Sequence, residues 1–152
     1  MVYISRIQTP FGEWEIRASE HGVTGVFSHY SNDPLHENEI SRQAARELLE
    51  YFAQERTKFS VELDLKGTSF RCAVWQVLLQ IPYGHSLSYG QVAERLGKPK
   101  AVRAVGQAIG RNPCLVLVPC HRVLGKNREL TGFSAGLERK KALLDLENIS
   151  FR

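Results

Sequence analysis

The feature that most constrains this chain is a change of hydrophobic period at Lys66-Gly67. Before it, apolar residues alternate in short runs; after it, they recur at helical spacing. Residues 2–9 alternate loosely, Pro10-Phe11-Gly12 reads as a turn, and 13–18 alternate around Trp14 and Ile16. His21-Gly22 turns the chain into 23–27, so the opening is a run of strands. The polar, proline-containing stretch 31–38 is loop. Ala44, Ala45, Leu48, Leu49 and Phe52 carry helical spacing over about 40–52, and 59–65 alternates again as a predicted strand.

Beyond Gly67, Thr68 or Ser69 can cap a helix bearing Phe70, Val74, Val77, Leu78 and Ile81, which Pro82-Tyr83-Gly84 stops. Ser88 with Gln91 makes a capping box that opens a short helix to Leu96. Gly97 ends it, Lys98-Pro99-Lys100 turns the chain, and a second short helix runs from Ala101 to about Gly110. Two short helices joined this way outline a helix-turn-helix. The run Leu115-Val116-Leu117-Val118 suits a buried strand or extended segment, and a Gly-rich loop at 131–136 precedes a last helix over about 137–147. The predicted organisation is therefore α/β (α+β): a small α/β domain over 1–66 and a mostly helical domain with the helix-turn-helix over 67–152.

Charge divides at the same boundary. Residues 1–66 carry 7 Lys/Arg against 11 Asp/Glu, a net of −4, whereas 67–152 carry 13 against 5, a net of +8. A basic half beside an acidic one fits either a polyanion partner or a solvated charged surface. No apolar stretch approaches the roughly 20 residues of a membrane-spanning helix, and the first residues have no signal-peptide core, so a cytoplasmic location is expected. The three cysteines, Cys72, Cys114 and Cys120, have no paired spacing, which suits a reducing compartment and a free thiol.

Pro119-Cys120-His121-Arg122-Val123 carries the most distinctive chemistry. An apolar run leads the chain inward, and Pro119 fixes φ just before the thiol. A thiol is mostly protonated at neutral pH, so a nucleophilic cysteine needs a base, which His121 can supply directly or through water. In isolation the same pair also fits a small buried residue beside a satisfied core histidine. The helix 101–110 offers Ala101, Ala104 and Gly106 with one arginine, Arg103. A backbone bearing such small side chains can lie close against a minor groove while the arginine enters the base stack. A tightly packed core helix with an exposed arginine would read alike.

Six segments in order sharpen the choice: Ile81-Pro82-Tyr83-Gly84, Ser88-Tyr89-Gly90-Gln91, Arg103-Ala104-Val105-Gly106, Arg111-Asn112-Pro113, Pro119 to Val123, and Gly132-Phe133-Ser134-Ala135-Gly136-Leu137. Together they closely resemble the O6-alkylguanine-DNA alkyltransferases, densely over about 67–149 and only in general style before that. The resemblance implies an RNase H-like first domain and a methylated-DNA–[protein]-cysteine S-methyltransferase activity. That activity is stoichiometric, with no cofactor. It moves the alkyl group of O6-alkylguanine, and of O4-alkylthymine, from duplex DNA to the protein's own cysteine. It implies Cys120 as acceptor, His121 as its base through water, Glu147 as the carboxylate orienting His121, and Asn112 as a brace under the site. Tyr89 would help extrude the nucleotide and donate a proton to guanine, while Arg103 would fill the vacated stack beside Ala101, Ala104 and Gly106. The carbonyls of Cys120 and Val123 and the Ser134 amide would meet the guanine edge.

Phe133 stands where some relatives have tyrosine and Ala135 where many have glycine, which implies narrower tolerance for bulky O6 groups. Some relatives hold zinc in the first domain; here that region offers only His21, His29 and His36 and no cysteine, so no metal site is expected. Cys72 and Cys114 are expected as bystanders. The expected partner is double-stranded DNA carrying O6-alkylguanine, met by a monomer that can associate along DNA, with no membrane involved. Two other classes share these features: a lesion-binding protein without transfer, whose members usually have tryptophan at the acceptor position, and a Cys-His hydrolase or redox sensor using the same thiol.

Overall fold

The computed structural model describes residues 1–152, which divide into two compact units. The first comprises 1–66 with 113–117, and the second 67–112 with 118–152.

In the first unit, β1 (Tyr3–Thr9), β2 (Gly12–Ala18) and β3 (Val23–Phe27) form an antiparallel sheet in the order β1-β2-β3. The helix α1 (Glu39–Phe52) packs on it. Asn38 caps α1 by accepting from the Ser41 amide, and the Ser41 side chain accepts from the Asn38 amide in return, so the helix starts at a defined residue. Trp14, Ile16, Leu48 and Tyr51 are fully buried, and Phe11, Trp14, Phe52, Tyr51 and Phe59 pack ring against ring. Glu15 points to the opposite side of β2 from Trp14 and Ile16. There it is buried with Arg6 at 3.0 Å, Arg17 at 2.7 Å and the Ser31 amide at 2.9 Å. Burial alone would push that carboxyl up; these donors outweigh it and hold it at about 2.

The strand expected over 59–65 does not form. Only a single parallel bridge joins Leu63 to Val23. The reason is local: the buried Glu47 carboxylate accepts from the Ser60 and Val61 amides, at 2.9 and 3.2 Å, and from the Ser60 hydroxyl. Those amides are therefore lost to any ladder. The run 115–118 is buried as expected but is not a strand either. One bridge pairs Cys114 with Val26, and then Val116 takes a φ of +70° and turns the chain. A β-branched residue tolerates that conformation only where packing enforces it, and here Leu115 to Val118 are all buried. Residues 113–117 thereby join the first unit, although they lie in sequence within the stretch expected to form the second domain.

In the second unit, α2 (Ser69–Leu79) is capped by Thr68 and stops two residues short of the expected Ile81. Gln80 and Ile81 close it with tighter i−3 bonds to Val77 and Leu78. Trp75 Nε1 donates to the Ala108 carbonyl at 2.9 Å, pinning α2 to α4 (Val102–Gly110). The helix α3 (Tyr89–Arg95) begins with the expected Ser88/Gln91 capping box. It ends in a Schellman turn, with Gly97 at φ +74° and the Lys98 amide bonded to the Ala93 carbonyl. Thus α3 and α4 form the expected helix-turn-helix. A short pairing that periodicity does not signal, β4 (Leu87–Ser88) parallel to β5 (Val123–Leu124), ties the start of α3 to the chain just past Cys120. The last helix, α5 (Leu137–Leu146), packs on the 3₁₀ turn Cys120–Arg122. No helix is long and apolar enough to cross a membrane.

Candidate active site

The turn Cys120–Arg122 places a thiol, an imidazole and a guanidinium on consecutive residues, all buried. Pro119 supplies the entry, and the Val123 amide closes the turn on the Cys120 carbonyl. The Asn112 side chain donates to the Val118 carbonyl at 2.8 Å, bracing the segment that leads to the thiol.

Glu147, at the C-terminal cap of α5, collects this turn. Its Oε2 lies 2.6 Å from His121 Nε2 and accepts from Arg122 Nη2 at 3.1 Å. Its Oε1 accepts from Arg122 Nε at 2.8 Å and from the Gly84 amide at 3.2 Å. Arg122 also donates to the Ile81 carbonyl at 2.6 Å, so the Ile-Pro-Tyr-Gly segment holds both members of the ion pair. Burial pushes the Glu147 carboxyl up, but the His121 and Arg122 contacts prevail and hold it at about 2. For His121 burial prevails and lowers the imidazole's affinity for a proton, so it is neutral at pH 7. With Nε2 donating to the carboxylate, the buried Nδ1, which has no protein partner, is left as the acceptor.

Cys120 is 3 % exposed and borders a cavity of about 350 Å³ lined by Tyr89, Gly106, Ile109, Gly132, Phe133 and Ser134, among others. Burial pushes its thiol up to about 11, against the opposing pull of Asn112 and of Lys140. At rest the sulfur keeps its proton.

Lys140 is the residue that sequence reasoning missed. It is 1 % exposed on α5, and its Nζ reaches only the neutral Thr131 Oγ1 and Gly132 carbonyl, each at 3.5 Å. Burial lowers the ammonium to about 8, and the negative charge of an ionised Cys120 opposes that shift. A signal was present: Lys140 shares a helical face with Leu143, Leu144 and Glu147, where a lysine has no solvent to reach.

The remaining expected residues fall into two groups. Tyr89 opens α3 with its hydroxyl 2.9 Å from Thr131 Oγ1, and its ring lies over Gly106. Phe133 and Ser134 line the cavity. Val123 and Ala135 are buried and do not line it; the Ala135 carbonyl instead accepts from Arg139 at 2.7 Å. On α4, Arg103 and Ala104 are exposed, and Ala101 caps the helix with no side-chain bond, leaving its first amides open beside Lys98 and Lys100. No group of three or more His, Cys, Asp or Glu is placed to hold a metal ion.

Comparison with known proteins decides the family. Residues 69–149 match the 6-O-methylguanine DNA methyltransferase DNA-binding domain, and 2–65 match the ribonuclease-like domain of the same proteins. The chain belongs to the 6-O-methylguanine DNA methyltransferase family. It is 55 % identical to a methylated-DNA–protein-cysteine methyltransferase of Mycobacterium tuberculosis, over 97 % of this chain and 93 % of that one. It is 44 % identical to the constitutive methylated-DNA–protein-cysteine methyltransferase of Bacillus subtilis, over 100 % and 99 %. Among solved structures, the M. tuberculosis OGT in complex with DNA superposes with a TM-score of 0.86 at 42 % identity, covering 95 % of this chain and 92 % of that one. Family membership accounts for the mixed α/β architecture.

Proposed function

We propose that this protein repairs alkylated duplex DNA by moving the O6-alkyl group of an extruded guanine onto Cys120, once per chain. The observation that carries the reading is the Cys120-His121-Glu147 arrangement: a protonated thiol at a cavity, beside an imidazole whose unpartnered nitrogen is the basic one.

A base stacked in a duplex cannot reach a buried sulfur, so it must be flipped out at a cost of a few kcal/mol, least where a lesion has weakened its pairing. The helix-turn-helix supplies the DNA contact. The open amides of α4 and the adjacent Lys98 and Lys100 attract phosphate, and the small Ala104 lets the helix approach a minor groove. Arg103 fills the gap in the stack. In the cavity, Phe133 provides an apolar wall and the Ser134 amide meets the base edge.

Transfer then follows from the electrostatics. Because burial keeps the thiol protonated at rest, the sulfur is inert until a substrate carbon is in place. His121 Nδ1 takes the thiol proton through water, and Glu147 stabilises the imidazolium that forms. The Lys140 ammonium favours the thiolate against its desolvation. Sulfur attacks the sp³ carbon, the carbon–O6 bond breaks, and Tyr89 protonates the departing guanine. The product is a thioether, which has no easy hydrolytic route, so each chain acts once. The protein is expected to act as a monomer in the compartment that holds the DNA.

Incubation with O6-methylguanine duplex followed by intact and peptide mass measurement tests this. One methyl group on Cys120, stopping at one per chain and absent in Cys120→Ala, is expected. Binding of the lesion without any added mass would instead make this a lesion-recognition protein, and repeated turnover would make it a hydrolase.

A further inference from the structure

We propose that the Thr131 hydroxyl is a positioning and proton-relay residue: it aims the Tyr89 phenol at the extruded base and returns a proton to it from Lys140. This inference rests on the repair reading above and deepens it, because it concerns how the proton donor of that reaction is oriented and recharged.

Three placements carry it. Thr131 Oγ1 stands 2.9 Å from the Tyr89 hydroxyl and 3.5 Å from Lys140 Nζ, so one oxygen joins the phenol to the buried ammonium. A hydroxyl has one proton and two lone pairs, whereas an ammonium can only donate. Thr131 therefore accepts from Lys140, and of the two directions open to the Tyr89 contact the relay uses the one in which Thr131 gives its own proton to the phenol oxygen. That leaves the Tyr89 O–H unspent and directed elsewhere, and the cavity lined by Tyr89 and Cys120 is where it can be used. The third placement fixes the threonine itself. A Cβ on Gly125 would lie 2.7 Å from the Thr131 methyl, so the bare glycine makes room for that methyl in the position that points the hydroxyl at Tyr89 and Lys140.

The protons balance. Cys120 loses its proton to His121 through water, the sulfur–carbon bond forms, and the carbon–O6 bond breaks. Guanine takes the Tyr89 proton. The tyrosinate oxygen then takes the Thr131 proton as Thr131 accepts one from Lys140, leaving a neutral amine. The imidazolium releases its proton to solvent water and the amine recovers one from it, so the cycle consumes no net proton. Lys140 suits the supply side because burial has already weakened its hold on the proton, to about 8.

The test is single-turnover methyl transfer at saturating O6-methylguanine duplex, with duplex affinity and thermal unfolding measured in parallel. Thr131→Val, which keeps the shape and removes the hydroxyl, is expected to slow transfer about tenfold, short of the roughly 10²- to 10⁴-fold of a full general acid. Affinity for the duplex should not change. Thr131→Ser should recover transfer to within about twofold of the parent. The double variant Tyr89→Phe/Thr131→Val should be no slower than Tyr89→Phe alone, since Thr131 acts through that phenol. If Thr131→Val destabilises the fold, Thr131→Ala serves as the second hydroxyl-free variant. Parent-like transfer in the hydroxyl-free variants, no rescue by serine, or fully additive losses in the double variant would each overturn the relay. A parent protein that leaves Cys120 unmethylated fails the repair reading itself, whereas a parent that transfers alongside an equally fast Thr131→Val fails only the relay.

Discussion

Glu147 Oε2 and His121 Nε2 lie 2.6 Å apart with neither side chain exposed to solvent. The contact fixes the tautomer, because a carboxylate can only accept, so the ring proton sits on Nε2 and the lone pair on Nδ1. It also places the negative charge that an imidazolium will need next to the ring before any proton has moved. Substituting Glu147→Gln removes that charge while keeping the shape, and it leaves the Arg122 guanidinium buried without its counter-ion. Methyl transfer should slow by about one to two orders of magnitude, the scale of losing part of a general base. Single-turnover kinetics on O6-methylguanine duplex check this, and circular dichroism establishes that the variant is folded.

The same carboxyl sets an acid limit on stability. Folded Glu147 titrates at about 2, well below the ordinary 4.5, so the unfolded chain binds the extra proton as pH falls through that interval. Stability from this group is complete above about pH 5 and declines between 4.5 and 2, by about 3 kcal/mol if it acts alone. Glu15, also held at about 2, contributes with the same sign in the same window. Urea unfolding at pH 7, 5 and 3 should show little change between the first two on account of these groups and a clear loss at the third.

Arg103 is exposed on α4, so Arg103→Ala should leave thermal stability within about 0.5 kcal/mol of the parent. Transfer from a duplex should nevertheless fall, since no side chain then fills the place of the flipped base. Transfer from the free O6-methylguanine base should not. Equal losses on both substrates would place Arg103 outside base extrusion.

Tolerance for bulky alkyl groups is expected to turn on Phe133 rather than on Ala135. Phe133 lines the cavity, whereas the Ala135 methyl is buried behind its rim. Phe133→Ala should raise the rate of O6-benzylguanine transfer relative to O6-methylguanine, and Ala135→Gly should leave that ratio unchanged. The two rates measured on each variant decide it.

Trp75 Nε1 donates to the Ala108 carbonyl inside the helical unit. Trp75→Phe removes this bond, leaves the carbonyl with the Arg111 amide alone and opens a small void, at a cost of about 1 kcal/mol. Chemical denaturation should show the loss.

Much of the fold and the site is legible in the order of residues alone. The period change at Gly67, the Ser88/Gln91 capping box, the helix-turn-helix and the nucleophile turn are local signals, set by residues a few positions apart. The departures are long-range. Residues 59–65 alternate like a strand, yet the Ser60 and Val61 amides go to Glu47, a partner 13 and 14 positions away that no periodicity reveals. Residues 115–118 look extended, but Val116 turns the chain because burial enforces it.

By itself, then, the sequence determined the elements, the charge division and the identity of the thiol and its neighbour, because backbone propensity, capping and adjacency act along the chain. Only the tertiary structure decided that Lys140 faces Cys120, that Thr131 links Tyr89 to Lys140, and which imidazole nitrogen is free. Those facts depend on desolvation and on hydrogen-bond direction. Both arise when residues distant in sequence close out water around one another.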